Sequence, residues 1–419
     1  MNVYVGIDLG STTTKAVILD EGGEVLGRGI TNSRSNYSVA AKIAGTEATI
    51  HARFSLLERE LGGASPAELE RAFRLEQYLA QLAHLREVML EEAAKRTHRD
   101  LSARVEEILV TMEEAELARF AAGEEPASNF FRDRAGADYA RVAERRADRK
   151  GISFDVLLGV YDRAILRVEN AELDLSFEGN ILRALARLGG GDVREAVHRV
   201  LATELTPAGQ AGTGYGRARL PFPKEQIRSE ILCHGLGAHA MFPDTRTVLD
   251  IGGQDTKAIQ VDAAGIVTSF QMNDRCAAGC GRYLGYIADE MNLGLHELGP
   301  LADKATRPVR VNSTCTVFAG AELRDRIGMG EKREDILAGL HRAIMLRAMS
   351  LLARSGGVND QFTFTGGVAR NSAAVRALRE LVEENYGART LNISTDSIFT
   401  GALGAALFAL RDAQKSEAA

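Results

Sequence analysis

Tryptophan is missing from the sequence, and aromatic residues as a group make up only 6% of its 419 positions. Proteins that bind single-stranded nucleic acid stack the bases on aromatic side chains, so this shortage disfavours such a surface. The net charge is −6, and no basic face or Arg-rich tract stands out. Because nucleic-acid binding depends on clustered Lys and Arg, we expect no nucleic-acid partner.

Cysteines are also scarce: the chain has 4, too few for a disulfide framework in a protein of this length. We expect them to be ligands, nucleophiles or buried apolar residues in a reducing compartment. The most apolar run, residues 401–410, is about half as long as the ~20 residues that a membrane span needs. A secretion signal is not expected either, so we predict a cytoplasmic protein without membrane contact.

Two familiar nucleotide-binding patterns are missing as well. The chain has no Walker loop of the form G-x-x-x-x-G-K-[ST]. Gly214-Tyr215-Gly216 is too short a match for the glycine-rich turn of a dinucleotide-binding fold. Any phosphate must therefore be bound by other local loops.

What the chain does have is one strand–turn–strand pattern that occurs twice. The length of the whole chain predicts two or three domains. The first copy contains Asp8-Leu9-Gly10-Ser11-Thr12-Thr13-Thr14-Lys15, and the second contains Asp250-Ile251-Gly252-Gly253-Gln254-Asp255-Thr256-Lys257. Each begins with an apolar strand and continues into a second one after the polar turn. A fold duplicated in this way has two facing lobes with a cleft between them.

The residue types in both turns suit a polyphosphate. Glycine lets backbone N–H groups approach phosphate oxygens, and hydroxyl groups add donors. Asp8 and Asp250 are predicted to hold hydrated Mg²⁺, and Gln254 or Asp255 to orient the attacking water. The two lysines either offset phosphate charge or are solvated hairpin residues. The predicted nucleotide-binding residues of the turns are Gly10, Ser11, Thr12, Thr13, Lys15, Gly252, Gly253, Thr256 and Lys257.

A third glycine turn completes the pattern. Residues 362–365 read as a strand that runs into Gly366-Gly367, and a helix follows from about Asn371. Adenosine is expected to lie against this bare backbone, which makes these three residues further nucleotide-binding candidates. Together the three segments resemble the phosphate-1, phosphate-2 and adenosine motifs of the acetate kinase, sugar kinase, Hsp70 and actin superfamily. That resemblance implies an α/β fold with two actin-like (ribonuclease H-like) lobes around an ATP-binding cleft.

Between the two copies lies a long stretch of helical character. Ser65-Pro66-Ala67-Glu68 reads as a capping box with Pro at the first helical position, and apolar residues then recur at helical spacing. We predict a mostly helical insertion at about 54–205 within a first lobe of residues 1–246. The second lobe is predicted to comprise residues 247–419, with its last helix packing back on the first lobe.

The cysteines differ in their surroundings. Cys276 and Cys315 stand at or just before predicted helix N-termini, where free N–H groups favour a thiolate or an anionic cluster. Cys233 is expected to be a buried apolar residue. Cys280 is predicted one turn inside a helix, where it packs in the core or serves as a third ligand.

The segments around Cys276 and Cys315 are similar to the two cluster-binding segments of one family. It comprises the ATP-dependent activators of 2-hydroxyacyl-CoA dehydratases and the ATPase subunits of benzoyl-CoA reductase. The resemblance implies one 4Fe–4S cluster held between two subunits by two cysteines from each, here Cys276 and Cys315. Two cysteines cannot complete a four-thiolate cluster, so a partner subunit is needed. Activators usually have Thr where Cys280 stands, which leaves the ligand set open.

This resemblance leads to a functional expectation. Activators are compact, whereas one kind of benzoyl-CoA reductase subunit carries a long insertion, so the insertion favours the reductase subunit. ATP hydrolysis would then drive low-potential electrons from the cluster to substrate-binding iron–sulfur subunits, with a related ATPase subunit or second copy completing the cluster and ferredoxin as donor. The alternatives are an activator of a (R)-2-hydroxyacyl-CoA dehydratase, a sugar or acid kinase without a cluster, and a filament or chaperone-like ATPase.

Overall fold

The structure is a computed structural model that describes residues 1–33, 36–96, 98–125, 130–148, 151–170, 176–191, 193–273, 280–311 and 316–417. The chain divides into two compact units, one formed by Met1–Ala48 together with Leu205–Ala419 and the other by Thr49–Glu204. Both β-sheets belong to the first unit. The predicted division into lobes at residue 246 therefore stays a prediction.

The described α-helices follow one another along the whole chain. They are α1 (Tyr37–Glu60), α2 (Ala67–Ala94), α3 (Leu101–Ala122), α4 (Phe131–Arg146), α5 (Phe154–Asn170), α6 (Phe177–Arg187), α7 (Arg194–Ala202), α8 (Glu230–Met241), α9 (Gly281–Met291), α10 (Leu298–Ala302), α11 (Thr316–Gly328), α12 (Arg333–Ser355), α13 (Ser372–Tyr386) and α14 (Thr400–Glu417).

The first sheet is built from the first predicted strand–turn–strand pattern. Its strands are β1 (Asn2–Leu9), β2 (Thr13–Leu19), β3 (Val25–Asn32) and β4 (Thr206–Thr213). They lie in the order β3-β2-β1-β4. β1 is antiparallel to β2 and parallel to β4. The helical stretch of the sequence thus separates two strands that are neighbours in one sheet.

The second sheet repeats this plan and adds a short strand. Its strands are β5 (Thr247–Ile251), β6 (Thr256–Val261), β7 (Val267–Asn273), β8 (Phe362–Thr365) and β9 (Leu391–Asn392). They lie in the order β7-β6-β5-β8-β9. β5 is antiparallel to β6 and parallel to β8, as β1 is to β2 and β4. The duplicated strand pattern predicted from the sequence is confirmed.

The second sheet packs on a helical core. Buried residues of β5 and β8 contact α9, α12 and α13 in one apolar cluster that includes Leu249, Phe362 and Phe364. α12 is long and apolar enough by composition to cross a membrane, although the sequence pattern does not single it out. Since 72% of its most apolar stretch is buried inside the protein, α12 has the burial of a core helix. The cytoplasmic location stays a prediction.

Three close backbone approaches join α14 to its neighbours, and each occurs at a glycine. A Cβ on Gly6 of β1 would lie 2.1 Å from the carbonyl oxygen of Ala402. One on Gly237 of α8 would lie 2.0 Å from the carbonyl oxygen of Thr400, and one on Gly404 would lie 1.9 Å from that of Cys233. No side chain fits at such distances. α8 and α14 therefore cross with their backbones in contact.

The helical unit has cores of its own. One apolar cluster is formed by α2, α3, α4 and α5, and another contains the mutually packed rings of Phe54, Phe73 and Phe177. Leu82 and Met89 are buried, as their helical spacing predicts. The predicted capping box at Ser65 is wrong, because Pro66 is the N-cap residue, no side chain caps the helix, and α2 begins at Ala67.

The crossing of α8 and α14 predicts a large effect of a small substitution. Gly404→Ala is expected to lower the free energy of unfolding by about 1–3 kcal/mol or more, because the methyl group meets backbone that cannot move aside. Gly45→Ala in α1, where a Cβ meets nothing within 4 Å, is the matched control and should stabilise by about 0.5–1 kcal/mol. Urea unfolding of both variants measures this. Equal stability of the two variants would contradict the close crossing.

Candidate active site

The ends of the two sheets have the same arrangement of side chains. Asp8 pairs with Lys15 across β1 and β2, and Asp250 pairs with Lys257 across β5 and β6. On the parallel side, Asp8 is level with Thr213 and Asp250 with Thr365. The repeat therefore includes a fourth strand in each sheet, β4 in the first and β8 in the second. The two Asp-x-Gly motifs alone do not reveal these strands.

The glycine turns after these fourth strands also correspond. Gly214 follows β4 with φ +95°, and Gly366 follows β8 with φ +87°. Glycine is required at both, since a Cβ would lie 2.4 Å from Asp8 Oδ1 and 2.3 Å from the Ile251 carbonyl oxygen, respectively. Gly214-Tyr215-Gly216, which is too short for a dinucleotide motif, is thus the first-sheet counterpart of the predicted adenosine turn.

The two predicted phosphate loops meet each other. A Cβ on Gly253 would lie 2.4 Å from Thr12 Oγ1, so the loop of one sheet touches the loop of the other. Ser33, at the end of β3, fixes the first loop: its hydroxyl donates to the Gly10 carbonyl oxygen at 2.6 Å, and its N–H donates to the Thr12 carbonyl oxygen at 2.8 Å. A bound polyphosphate between Asp8 and Asp250 would be within reach of both loops.

Lys257 is the centre of a buried charge network. Its side chain is 1% exposed, and its Nζ lies 2.7 Å from Asp255 Oδ1, 2.9 Å from Glu230 Oε1 and 3.3 Å from Asp250 Oδ2. An ammonium group has three protons to donate, so these three carboxylates can use all of them. Lys257 is therefore not a solvated hairpin residue, and a phosphate would have to displace a carboxylate to reach it.

Asp250 has cationic or donor groups on several sides. Its Oδ1 accepts a hydrogen bond from Thr365 Oγ1 at 2.8 Å and lies 3.3 Å from His234 Nδ1. Burial alone would raise the pKa of Asp250, but the His234 and Lys257 charges outweigh it and lower the pKa. Burial would likewise lower the pKa of Lys257, yet Asp250, Glu230 and Asp255 raise it. Both groups are therefore charged near neutral pH.

Glu230 and His234 lie one turn apart on α8. Burial raises the pKa of Glu230, and the Lys257 charge only partly offsets that effect. Burial lowers the pKa of His234, but the Asp250 carboxylate more than compensates, so its pKa is raised overall. A carboxylate that is anchored at one oxygen and has a raised pKa is suited to accept a proton from water. Sequence patterns miss both residues, because nothing local distinguishes them from other polar residues of a helix.

The residues present fit a hydrated magnesium ion better at Asp8 than at Asp250. Asp8 is buried, and the ion pair it forms with Lys15 is long, at 4.0 Å. Both oxygens of Asp250 contact protein donors at the distances given above. Mg²⁺ keeps several of its waters and needs only one or two carboxylates. Among the described residues, no group of three His, Cys, Asp or Glu side chains is arranged to hold a metal directly.

The remaining predicted nucleotide residues are spread over the same sheet ends. Ser11, Thr13, Gly252, Gln254 and Asp255 are partly exposed there, whereas Thr256 is buried at the start of β6. A Cβ on Gly367 would meet nothing within 4 Å, so the backbone beside it is open. Asn371 is the N-cap of α13, and its side chain accepts from the Ala374 N–H at 3.0 Å. Its side-chain oxygen therefore has a structural role.

Two of the four cysteines, Cys233 and Cys280, lie among the described residues. Cys276 and Cys315 lie outside the described residues. The helices that follow them, α9 and α11, contact each other: a Cβ on Gly320 would lie 2.7 Å from the Tyr286 hydroxyl oxygen, and Arg324 pairs with Glu290. Cys280 is the buried N-cap residue of α9, so its predicted place inside the helix is wrong. Cys233 is fully buried, and burial raises the pKa of its thiol to about 12.

A duplicated sheet with two touching glycine loops matches a known family. Residues 5–409 match the BadF/BadG/BcrA/BcrD ATPase family. The chain belongs to this family. The resemblance seen in the sequence is thereby confirmed, and the chain is a member of a family of ATPases.

Three curated relatives of this ATPase are informative. It is 42% identical over 203 residues to the (R)-2-hydroxyglutaryl-CoA dehydratase activating ATPase of Acidaminococcus fermentans, covering 48% of this chain and 75% of the relative. Identity to the 2-hydroxyisocaproyl-CoA dehydratase activator of Clostridioides difficile is 40%, covering 56% and 83%. Identity to one of the benzoyl-CoA reductase subunits of Thauera aromatica is 33%, covering 42% and 62%.

A solved structure supports the fold. The activator of the 2-hydroxyisocaproyl-CoA dehydratase from Clostridium difficile, solved with bound ADPNP, matches 99% of this chain and 97% of its own with a TM-score of 0.54 and 24% identity. The predicted fold class is confirmed: the ATPase is an α/β protein with two actin-like lobes and a long, mostly helical insertion in the first.

The lowered pKa of Asp250 predicts a pH-dependent stability. An unfolded aspartate titrates near pH ~4, so the stabilisation by the buried carboxylate is present above that pH and is lost as the pH falls toward the lower folded pKa. Asp250→Asn is expected to cost about 3–5 kcal/mol at pH 7, and roughly 1 kcal/mol less at pH 3.5, where the unfolded carboxyl group has begun to take up its proton and the folded one has not. Urea unfolding at both pH values measures the difference.

The matched control is Asp244→Asn, since Asp244 is exposed and should change stability by less than ~0.5 kcal/mol at either pH. A cost of Asp250→Asn that stays the same at both pH values would show that the carboxylate has no stabilising charge partners.

Proposed function

We propose that this ATPase is an electron activator of a 2-hydroxyacyl-CoA dehydratase. The observation that supports it is the identity of 42% and 40% to two dehydratase activators, against 33% to the benzoyl-CoA reductase relative. The insertion alone favours the reductase function. With these identities, the activator, which the sequence offers as the alternative, is the better supported of the two.

The helical insertion does not argue against an activator. The two activators are matched over 75% and 83% of their own length by 48% and 56% of this chain. The chain therefore contains most of an activator together with a large amount of further sequence. The helical unit of Thr49–Glu204 is then an addition to an activator core, and docking to a partner is a role that suits it.

The two sheet ends supply the residues for ATP hydrolysis. The loops with Gly10 to Thr13 and Gly252 to Gln254 would bind the phosphates, and Gly366 with Gly367 would lie against the adenosine. Asp8 would hold hydrated Mg²⁺, which neutralises phosphate charge when bound. Gln254 or Asp255 would orient water. Lys257 keeps Asp255 and Glu230 within 2.9 Å of one ammonium group, so a carboxylate that can accept a proton is fixed beside the loop.

Cys276 and Cys315 would hold a 4Fe–4S cluster together with the same two residues of a second copy. The donor set fits this group: the two thiols precede α9 and α11, which are in contact, and cluster ligands in proteins are cysteine thiolates. When bound, the cluster supplies a one-electron donor of low potential. Ferredoxin is the expected source of that electron, and the iron–sulfur subunits of the dehydratase are its expected acceptor.

The second nucleotide loop is hydrogen-bonded to the start of α9, the helix that follows Cys276 in the sequence. The N–H of Gly281 donates to the Gly252 carbonyl oxygen and that of Arg282 to the Gly253 carbonyl oxygen, both at 2.8 Å. These are the first two residues of α9. A change in the loop on binding or hydrolysis of ATP would therefore displace the N-terminus of α9 and the segment with Cys276 before it. This connection supports coupling between hydrolysis and the cluster.

The deciding experiment is anaerobic purification of the chain alone and with co-expressed dehydratase components. We expect a brown iron-containing dimer that hydrolyses ATP, supports dehydration in catalytic amounts and separates from the dehydratase on gel filtration. A stable stoichiometric complex with iron–sulfur reductase subunits would instead indicate the benzoyl-CoA reductase function. Colourless protein that phosphorylates a sugar or an acid would indicate a kinase.

The cluster assignment predicts that Cys276→Ser loses iron and visible absorbance but still binds ATP, because a hydroxyl group is a poor ligand for iron and the nucleotide loops are unchanged. Cys233→Ala is the matched control, since Cys233 is buried away from these segments, and it should keep its iron. Cys280→Ser tests the third-ligand alternative. Iron content and the absorbance spectrum are measured, and a Cys276→Ser protein with full iron would rule the assignment out.

A further inference from the structure

His234 occupies a place between the two sheets that the function described above does not use. Its ring is buried, with Nδ1 3.3 Å from Asp250 Oδ1 in the second sheet. The other ring nitrogen faces α14: a Cβ on Gly401 would lie 2.8 Å from His234 Nε2. The same Cβ would lie 2.9 Å from Asp8 Oδ2 in the first sheet. The imidazole thus lies beside the Asp250 carboxylate, and both the imidazole and the Asp8 carboxylate pack against Gly401 of α14.

Gly401 keeps this arrangement open. Any larger residue at position 401 would place a methyl group against both His234 Nε2 and Asp8 Oδ2 at less than 3 Å, which is closer than carbon and polar atoms approach in folded proteins. Moving α8 and α14 apart to make room would break their backbone packing at Gly237 and Gly404. The missing side chain of Gly401 is therefore what lets the imidazole and the Asp8 carboxylate pack against the same residue of α14.

Other charged groups do not substitute for His234. Lys257 contacts Asp250 from the β6 side, and its three protons are directed to carboxylates of the second sheet and of α8. Lys15 pairs with Asp8 at 4.0 Å from the β2 side. Glu230 Oε1 lies 3.9 Å from His234 Nε2, so it adds a negative charge. Of these groups, His234 is the one that lies beside Asp250 and also packs against Gly401, the residue that Asp8 packs against.

We propose that His234 is a positioning residue for ATP hydrolysis, which holds the Asp250 carboxylate of one sheet in register with the Asp8 carboxylate of the other. The inference rests on the proposed ATP hydrolysis at this site. His234 does not touch the nucleotide in this proposal. It fixes the relative position of the two aspartates, and its loss lowers the rate at which bound ATP is hydrolysed while leaving the binding of ATP largely intact.

The first test separates turnover from binding. His234→Ala is expected to lower kcat for ATP by about 10- to 100-fold, in line with the loss of a contact to a charged group, with the Kd for a fluorescent ATP analogue changed less than about threefold. His234→Asn keeps a donor near the position of Nδ1 and should restore a large part of kcat. His239→Asn, on the same helix but away from both aspartates, is the control and should keep kcat.

The second test is a double-mutant cycle with Gly401. Gly401→Ala alone should lower kcat at least about tenfold, because its methyl group pushes on the His234 ring. In the His234→Ala background α14 can shift into the space left by the ring, which moves the methyl group away from Asp8 Oδ2, so the same methyl group should lower kcat less than about threefold further. Strongly non-additive effects support the proposal, and additive effects overturn it.

The outcomes distinguish this inference from the function on which it rests. Wild-type protein that does not hydrolyse ATP would overturn the proposed function and this inference together. Normal hydrolysis by His234→Ala would overturn this inference alone. A parallel loss of kcat and of nucleotide affinity, with no recovery in His234→Asn, would show that the residue only supports the fold, and would overturn its positioning role.

Discussion

The buried ammonium group of Lys257 is what allows three carboxylates to share the end of the second sheet. At an effective dielectric constant of about 20, two unit charges ~3 Å apart interact by roughly 5 kcal/mol. Asp250, Asp255 and Glu230 would repel one another by comparable amounts if no cation lay between them. Lys257 contacts each at 2.7–3.3 Å, and the His234 ring lies beside Asp250. The site is therefore organised around a fixed ammonium group before any nucleotide binds.

The first sheet has the equivalent Asp–Lys pair, but the two side chains lie further apart. This difference affects which of the two carboxylates can bind a cation. Asp8 and Lys15 are 4.0 Å apart, whereas Asp250 has protein donors on both oxygens. A carboxylate whose two oxygens already contact protein donors positions the side chains around it. A carboxylate with only a long ion pair still has lone pairs that can bind a cation. The two copies of the strand–turn–strand pattern thus suit different tasks, one the binding of a hydrated cation and the other the positioning of neighbouring side chains.

Much of this could be read from the sequence because its signals are local. A strand, an Asp and a glycine turn follow one another within a few residues, so both sheet ends and the β8 turn are predictable from the chain alone. Lys257 could not be placed, because its three partners come from β5, from the turn before β6 and from α8. Glu230 and His234 lie in a helix whose sequence gives no sign that two sheets end beside it. Cys280 is misplaced by the sequence pattern because a helix boundary read from apolar spacing is uncertain by a few residues.

The path from the nucleotide loop to α9 is short, and the strength of its hydrogen bonds limits what it can do. The two hydrogen bonds from Gly281 and Arg282 to the loop contribute about 0.5–1.5 kcal/mol each, and a helix N-terminus shifts a nearby charge by about 0.3–2 kcal/mol. One-electron driving force costs about 1.4 kcal/mol for each ~59 mV. Static contacts of this size cannot lower the reduction potential of a cluster by several hundred millivolts.

The helix dipole even has the wrong sign for a stronger donor, because the positive N-terminus of α9 favours the more anionic, reduced state of a cluster beside it. The hydrogen bonds from Gly281 and Arg282 therefore affect the position of α9 and not the reduction potential directly. They make the start of α9 move with the loop. A displacement that changes how far a cluster is exposed to water alters its potential much more than a fixed dipole does. In the proposed activator, coupling of hydrolysis to electron transfer would therefore require movement of α9, and the loop of Gly252 and Gly253 is the part of the site that is hydrogen-bonded to it.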